Sequence, residues 1–289
     1  MNQYEQKVEL FFELKGTPDS SRESYWRRMN AFLIYMQERK RPIEEMKLED
    51  IQQYILFLKK EKGLSSGTIN NYISAIKFFF TYVLDREWNP RQVPRMKRAQ
   101  SLPVIPAKDD VLLLLNSTNN LKHKAIFTLI YGSGLRVSEV ARLKIGDIDS
   151  KSMRILVQNA KHNTNRYTIL SELALKVLRH YFRNNFSKEY TRNDWLFPGR
   201  NPLEHIHVKS IKNTFIKMRD KLQLDQNISA HTLRHCFSTH LLEDGVDPVF
   251  IQQMLGHKSL KTTQTYLHMT SKSLMGVKSP LDTQAGHKA

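Results

Sequence analysis

Four prolines within twenty residues divide this chain of 289 amino acids. They lie at positions 90, 94, 103 and 106, in the segment WNPRQVPRMKRAQSLPVIPA, residues 88–107. Proline fixes φ and lacks an amide donor, so this density excludes both a continuous helix and a central strand. The only charges in the segment are basic: Arg91, Arg95, Lys97 and Arg98. We predict that residues 91–107 form a basic linker between two domains, residues 1–90 and 108–289.

The segment before the linker has helical periodicity. After the turn GLSS, apolar residues recur at spacings of three and four, at Ile69, Tyr72, Ile73, Ile76, Phe79 and Val83. Similar apolar stripes occur within residues 51–58 and 25–36. Each stripe is typical of one face of an amphipathic helix. The first domain is therefore predicted to be a small helical bundle.

The segment after the linker is also mostly helical, with one β-rich interruption at residues 153–170. There, MRILVQ and RYTIL flank the polar turn NAKHNTN, which indicates a hairpin. Farther on, Asp247, Pro248 and Gly256 suit the N-cap, the first position and the C-terminal cap of a short helix. The predicted fold class is mainly α with a small β hairpin or sheet.

The charge of the chain indicates its class of partner. Lysine and arginine total 45 against 28 acidic residues, a net charge of +17 with a pI near 9.8. Such an excess attracts polyanions, so nucleic acid is the first expected partner and an anionic membrane the second. No run approaches the roughly 18 apolar residues of a spanning helix, and MNQYEQKVEL lacks the order of a signal peptide. The single cysteine, Cys236, permits no intrachain disulfide, which agrees with a reducing compartment. We therefore expect a cytoplasmic protein with no membrane partner, associated with the nucleoid through its nucleic-acid partner.

Three clusters in the second half combine cationic, imidazole and phenol groups. They are GSGLRVSEVARL around Arg136, AHTLRHCFSTHLLEDG around His231 and Arg234, and LGHKSLKTTQTYLH around His257 and Tyr266. Such groups without an acidic cluster are typical of a site that acts on an anion. A metal site would instead require carboxylates or thiolates, so we predict no metal and no other cofactor.

Each of these residues alone has an ordinary alternative. Arg136 can pair with Glu139 along a helix, and Tyr266 can be a half-buried anchor. The histidines at 231, 235 and 240 include the spacing of a zinc pair, but they lack the glutamate of a His-Glu-x-x-His signature and a third ligand. Lys161, in a polar turn, can simply be solvated.

In combination, the ordered set Arg136, Lys161, His231, Arg234, His257 and Tyr266 resembles the tyrosine recombinase or phage-type integrase family. The matching strings are GSGLRVSEVARL, HTLRHCFSTHLLEDGVD and IQQMLGHKSLKTTQTYLH. The strings SSRESYWRRMNAFLIYM and LSSGTINNYISAIKFFFTYV resemble the core-binding domain of that family. The resemblance covers residues 20–270 and is nearest to the Xer-like or mobile-element subgroup. It implies an N-terminal helical core-binding bundle followed by a catalytic domain.

The resemblance also implies a reaction, site-specific DNA recombination through a 3′-phosphotyrosyl intermediate and a Holliday junction. Arg136, Arg234 and His257 would hold the scissile phosphate, and Tyr266 would attack it. His231 would accept the phenol proton, and Lys161 would protonate the leaving oxygen. The family commonly has Gly-Lys-Gly around that lysine, where this chain has Ala160-Lys161-His162.

The implied partners are a double-stranded recombination site and three further subunits, as a homotetramer or with a paralogue, docked by the tail after Tyr266. Candidate DNA contacts in the bundle are Arg22, Arg27, Arg28, Ser66, Thr68 and Lys77, and those in the linker are Arg91, Arg95, Lys97 and Arg98. Two alternatives use a similar set of residues: a type IB topoisomerase-like relaxase that acts as a monomer, and a catalytically silent DNA-binding regulator.

Overall fold

The computed structural model describes residues 3–97, 104–160, 164–186 and 190–256. The chain forms two compact units, residues 1–101 and 102–289. Helices predominate in these ranges, and a three-stranded antiparallel sheet lies in the second unit. The predicted fold class, mainly α with a small sheet, is therefore confirmed. None of the helices in the described ranges is long and apolar enough to cross a membrane.

Residues 3–97 of the first unit form a bundle of four α-helices: α1 (Gln3–Leu14), α2 (Asp19–Glu38), α3 (Leu48–Lys60) and α4 (Ser66–Phe78). A π-helical turn, Phe79–Val83, continues α4. The Ser65 hydroxyl caps α4 by accepting from the amide of Thr68. Buried aromatic rings fill the centre, with Phe12 stacked on Phe78 at 5.2 Å and Phe32 against Tyr54 at 4.9 Å.

Part of the proline-rich segment packs onto this bundle. Asn70 of α4, which is buried, donates through Nδ2 to Met96 O and accepts at Oδ1 from Met96 N, both at 2.9 Å. Val93 is buried in the same core, and Gln52 of α3 donates to Gln92 O at 2.8 Å. Residues 91–96, assigned to the linker from sequence, thus lie against the first unit because long-range polar and apolar contacts hold them there.

Within its described residues, the second unit contains seven α-helices and three strands. In chain order they are α5 (Lys108–Ser117), α6 (Leu121–Ser133), α7 (Val137–Ala141), β1 (Ile148–Asp149), β2 (Arg154–Ala160), β3 (Thr164–Ile169), α8 (Glu172–Asn185), α9 (Val208–Lys221), α10 (Thr232–Glu243) and α11 (Pro248–Leu255). Helix α6 is largely buried, with Phe127 and Ile130 fully buried. It packs against α8 and α10, so its C-terminal end is fixed within the core.

Strands β2 and β3 form the predicted hairpin, with Val157 opposite Arg166. The short strand β1, which the sequence did not indicate, pairs with β2. Helix α11 has the predicted bounds, because Asp247 accepts from the amide of Val249 at 2.7 Å and Gly256 ends the helix in a left-handed conformation.

Candidate active site

The first cluster places Arg136 at the junction of α6 and α7. Helix α6 ends at Gly134, whose φ of +62° lets the chain turn at once. Arg136 then precedes α7, and its backbone amide donates to Glu139 Oε2 at 2.8 Å. Its Nη1 donates to Glu139 Oε1 at 2.6 Å. The helix pairing of Arg136 with Glu139 that the sequence left open is therefore present.

Glu139 is the centre of a cluster of three guanidinium groups. Arg166 of β3 donates from Nη1 to Oε1 at 2.9 Å and from Nη2 to Oε2 at 2.8 Å. Arg234 Nη1 lies 3.6 Å from Oε2. Glu139 itself is only 6 % exposed. One buried carboxylate thus holds the side chains of Arg136, Arg166 and Arg234 in one place, although 98 residues separate the first from the last.

Arg234 is 2 % exposed and is also fixed by backbone carbonyls. Its Nη1 donates to Gly134 O at 2.6 Å, and its Nη2 donates to Leu255 O at 2.8 Å. Arg166 Nε donates to the neighbouring carbonyl of Met254 at 2.8 Å. The two arginines therefore bind the C-terminal end of α11, where the helix dipole favours positive charge.

The surroundings of Glu139 keep it ionised. Burial alone would raise the pKa of its carboxyl group. The hydrogen bonds and charge of Arg166, followed by the backbone amide and charge of Arg136, outweigh that effect and lower the pKa to about 2. Near neutral pH the cluster therefore holds one negative and three positive charges, a net charge suited to a phosphodiester.

His231 lies directly before α10, one turn ahead of Arg234. It is exposed, and its ring packs edge to face on His235 with centroids 4.9 Å apart. The side of the ring that faces the protein is desolvated, and this effect, followed by electrostatic coupling to His235, Arg234 and Arg136, lowers the pKa of His231 to about 4. The imidazole is therefore neutral at pH 7 and can accept a proton.

The remaining three residues of the set lie outside the described residues. Lys161 directly follows β2, His257 directly follows Gly256 at the end of α11, and Tyr266 comes nine residues later. The described part of the chain thus brings together Arg136, His231 and Arg234. It contains no group of three or more His, Cys, Asp or Glu side chains that could hold a metal ion. His240, the third histidine of that helix, instead bonds to Tyr131 and to the carbonyl of Pro106.

The candidate DNA contacts differ in their availability. Arg22 donates to Glu9 at 3.2 Å and to Thr17 O at 2.8 Å, so its charge is largely paired. Arg28 bonds to Ser24 and lies over the ring of Tyr72. The exposed candidates are Arg27, Lys77, Arg91, Arg95 and Lys97, with Arg95 also donating to the Ser74 hydroxyl. Ser66 and Thr68 occupy the first turn of α4, and Arg98 lies outside the described residues.

Comparison with known proteins identifies the family. The Phage integrase family matches residues 107–273, and the phage integrase N-terminal SAM-like domain matches residues 5–90. Tyrosine recombinase XerD of Listeria innocua is 32 % identical over 281 residues, covering 91 % of this chain and 92 % of that protein. The chain is a tyrosine recombinase of the phage integrase family.

Other relatives of this recombinase agree in type and in fold. The putative integrase/recombinase y4eF of Sinorhizobium fredii is 39 % identical over 235 residues, covering 81 % of this chain and 92 % of that protein. The crystal structure of XerA is 28 % identical and covers 100 % of this chain and 99 % of that one, with a TM-score of 0.54. XerH bound to a palindromic difH substrate has a TM-score of 0.72 at 18 % identity, over 94 % of this chain and 82 % of that one.

Sequence reasoning missed two residues of this arginine cluster. Glu139 was considered only as a helix partner of Arg136, although an acid three residues after that arginine was a usable signal. Arg166 was included only as the first residue of the β-rich run RYTIL. Its contacts with Glu139 and Met254 span 27 and 88 residues, so no local pattern indicates them.

Proposed function

We propose that this recombinase cleaves and rejoins DNA at specific sites through a covalent bond between Tyr266 and a 3′-phosphate. The observation that supports this proposal is the cluster of Arg136 and Arg234 on the buried carboxylate of Glu139, beside the neutral imidazole of His231. Fixed cations next to a proton acceptor suit in-line attack on a phosphodiester, because charge builds up on the nonbridging oxygens.

Arg136 is proposed to bind those oxygens directly. Only Nη1 of its guanidinium is used by Glu139, and within the described residues Nε and Nη2 have no acceptor. That edge presents two parallel donors, which match two phosphate oxygens. Arg234, buried beside Glu139, supplies permanent positive charge, and His257, which follows α11 in the chain, supplies a further donor.

The proposed reaction conserves the number of ester bonds. The Tyr266 oxygen forms a bond to phosphorus as its proton passes to His231, and the bond from phosphorus to the 5′-oxygen breaks. Lys161 gives a proton to that oxygen. The free 5′-hydroxyl of a partner strand then attacks the phosphotyrosine and releases Tyr266. No ATP and no divalent metal enter this balance.

DNA binding in this proposal depends on the exposed cations of both units. The first hundred residues carry 18 basic and 13 acidic side chains, and the remainder carries 27 and 15. The Tn1549 transposon integrase, which shares the fold at a TM-score of 0.70 and 21 % identity, was solved with transposon end DNA. We expect this recombinase to bind a double-stranded recombination site as a tetramer, alone or with a paralogue, in the cytoplasm at the nucleoid.

A nicked suicide substrate tests the proposal. Cleavage next to the nick releases a short fragment, so a true intermediate accumulates as a covalent complex between protein and DNA. The wild-type chain should form this complex, Tyr266→Phe should form none, and the matched control Tyr190→Phe should form it normally. Equal complex formation by Tyr266→Phe would refute the assignment of the nucleophile.

A second assay distinguishes the alternatives. A recombinase should resolve a synthetic Holliday junction and exchange strands between two duplexes. A relaxase would remove supercoils as a monomer without strand exchange, and a silent regulator would bind DNA without forming any covalent complex.

A further inference from the structure

Arg166 uses every nitrogen of its guanidinium group on protein acceptors. Nη1 and Nη2 form a fork on the two oxygens of Glu139, and Nε donates to Met254 O. Its side chain is 8 % exposed, against 23 % for Arg136. The fork is directed at the buried carboxylate, so Arg166 is poorly placed to bind a phosphate in the way proposed for Arg136.

At the end of α11, the backbone of Gly256 lies close to the side chain of Arg166. Gly256 has a φ of +65°, and a Cβ built there would lie 2.8 Å from Arg166 Cδ and 3.3 Å from its Nε. Such distances exclude a larger residue unless the arginine moves. Gly256 therefore provides both the left-handed turn and the space for Arg166, immediately before His257.

Arg166 thus joins three segments that carry members of the proposed active site. It lies on β3, whose hairpin turn contains Lys161, and it fixes Glu139, which holds Arg136. It also anchors the end of α11, from which the chain continues directly to His257.

We propose that Arg166 is a positioning residue, which holds Arg136, through Glu139, and the C-terminal end of α11 at one fixed separation. This inference rests on the proposed function. A lysine at this position would keep the charge but could not form the fork on Glu139 while also reaching Met254 O, because its ammonium is a single compact point of donation. Arg166→Lys would therefore keep the positive charge but lose the hydrogen bonds that fix Glu139 relative to Met254.

The test measures cleavage and binding separately on the suicide substrate. Single-turnover cleavage at saturating protein reports the chemical step, and fluorescence anisotropy on the uncleaved duplex reports DNA affinity. We expect cleavage to slow about tenfold in Arg166→Lys and about 100-fold in Arg166→Met, since small misplacements of reacting groups have effects of this order. We expect Kd to stay within about threefold, because a residue without a phosphate contact adds little to affinity.

Arg154→Met is the matched control. Arg154 lies on the adjacent strand, also pairs with a carboxylate, that of Asp149, and is exposed, so its loss should leave cleavage unchanged. Wild-type cleavage rates in Arg166→Met would overturn the inference, as would a loss of affinity equal to the loss of rate, which would mark a phosphate ligand. If Arg166→Met does not fold, Arg166→Lys decides: wild-type cleavage by that variant would overturn the inference as well.

The experiments distinguish an error in the proposed function from an error in the role of Arg166. If the wild-type chain forms no complex through Tyr266, the proposed function is wrong. If the wild type forms the complex and the folded Arg166 variants form it equally fast, only the role of Arg166 is wrong.

Discussion

Burying an ionised carboxylate such as that of Glu139 lowers the stability of the fold unless nearby groups compensate its charge. Removing an ion from water costs several kcal/mol, and a single partner seldom repays this. Glu139 accepts four hydrogen bonds, two from Arg136 and two from Arg166, and Arg234 lies close by. The same acid also keeps three mutually repelling cations together, so its role is as much to assemble the site as to stabilise the fold.

Replacing Glu139 with glutamine should therefore destabilise the protein. We expect Glu139→Gln to lower the free energy of unfolding at pH 7 by about 3 kcal/mol, because it leaves buried guanidinium groups without a counter-charge. Urea unfolding followed by circular dichroism measures this difference. Glu243→Gln is the control, since Glu243 is exposed, and it should change the free energy by less than about 0.5 kcal/mol.

The pH dependence of that difference has a defined sign. The pKa of Glu139 is about 2 in the folded protein against an ordinary value of 4.5, so the folded state favours the ionised form. Its stabilisation is complete above pH 4.5 and is lost as the pH falls from 4.5 towards 2. The gap between wild type and Glu139→Gln should narrow over that range, and a gap that stays constant would contradict the assignment.

At the scale of elements, the end of α6 depends on a close contact with α10. Gly134 has a left-handed backbone, and a Cβ there would lie 2.5 Å from Phe237 Cδ1 and 2.9 Å from Leu255 Cδ2. Both neighbours are buried, so neither can move away cheaply. This contact brings Gly134 O within reach of Arg234 and so links the packing of the helices to the geometry of the site.

Gly134→Ala should thus lower the free energy of unfolding more than the same change at another glycine with a left-handed backbone. Gly245→Ala is the matched control, because Gly245 has a φ of +83° and a Cβ would meet nothing within 4 Å. We expect Gly245→Ala to lower the free energy of unfolding by about 1 kcal/mol, because of backbone strain. Gly134→Ala should lower it by about 2 to 4 kcal/mol, because overpacking against Phe237 and Leu255 adds to that strain. Thermal and urea unfolding measure both, and equal effects would show that Phe237 adapts without cost.

The parts of the fold that the sequence predicted are those determined by neighbouring residues. The bounds of α11 follow from Asp247, Pro248 and Gly256, which lie at its ends, and the hairpin follows from two β-rich runs around one turn. Strand β1 and the packing of residues 91–96 were not predicted. The latter depends on Asn70, which bonds to Met96 across 26 residues, and distant pairs leave no periodic signal.

The site was predictable to the same extent. Arg136, His231 and Arg234 were selected through their family strings, and the structure places all three around one cluster. Arg166 was not selected, because its importance comes from contacts made only after β3 and α11 meet. The catalytic roles of all six residues stay predictions, and Lys161, His257 and Tyr266 lie outside the described residues.

At the scale of the whole molecule, the net charge of +17 favours binding to DNA, and the number of phosphates contacted determines how strongly that binding responds to salt. Binding of duplex DNA releases condensed counterions, so the affinity falls linearly with salt on logarithmic axes, with a slope of about −0.9 for each phosphate contacted. This property needs no knowledge of the target sequence, because a random duplex of about 30 base pairs suffices to measure it.

Two arginines of α2 offer a matched pair for that measurement. Arg27 is exposed, whereas Arg22 donates hydrogen bonds to Glu9 and to Thr17 O. Replacing either arginine with glutamine removes one positive charge from the same helix. We expect Arg27→Gln to reduce the magnitude of the salt slope by about 1 and Arg22→Gln to leave it nearly unchanged, since only a cation that displaces counterions contributes. Fluorescence anisotropy from low to moderate potassium chloride gives both slopes. Equal reductions would show that net charge, and not the pairing of each arginine in the fold, controls DNA binding by the bundle.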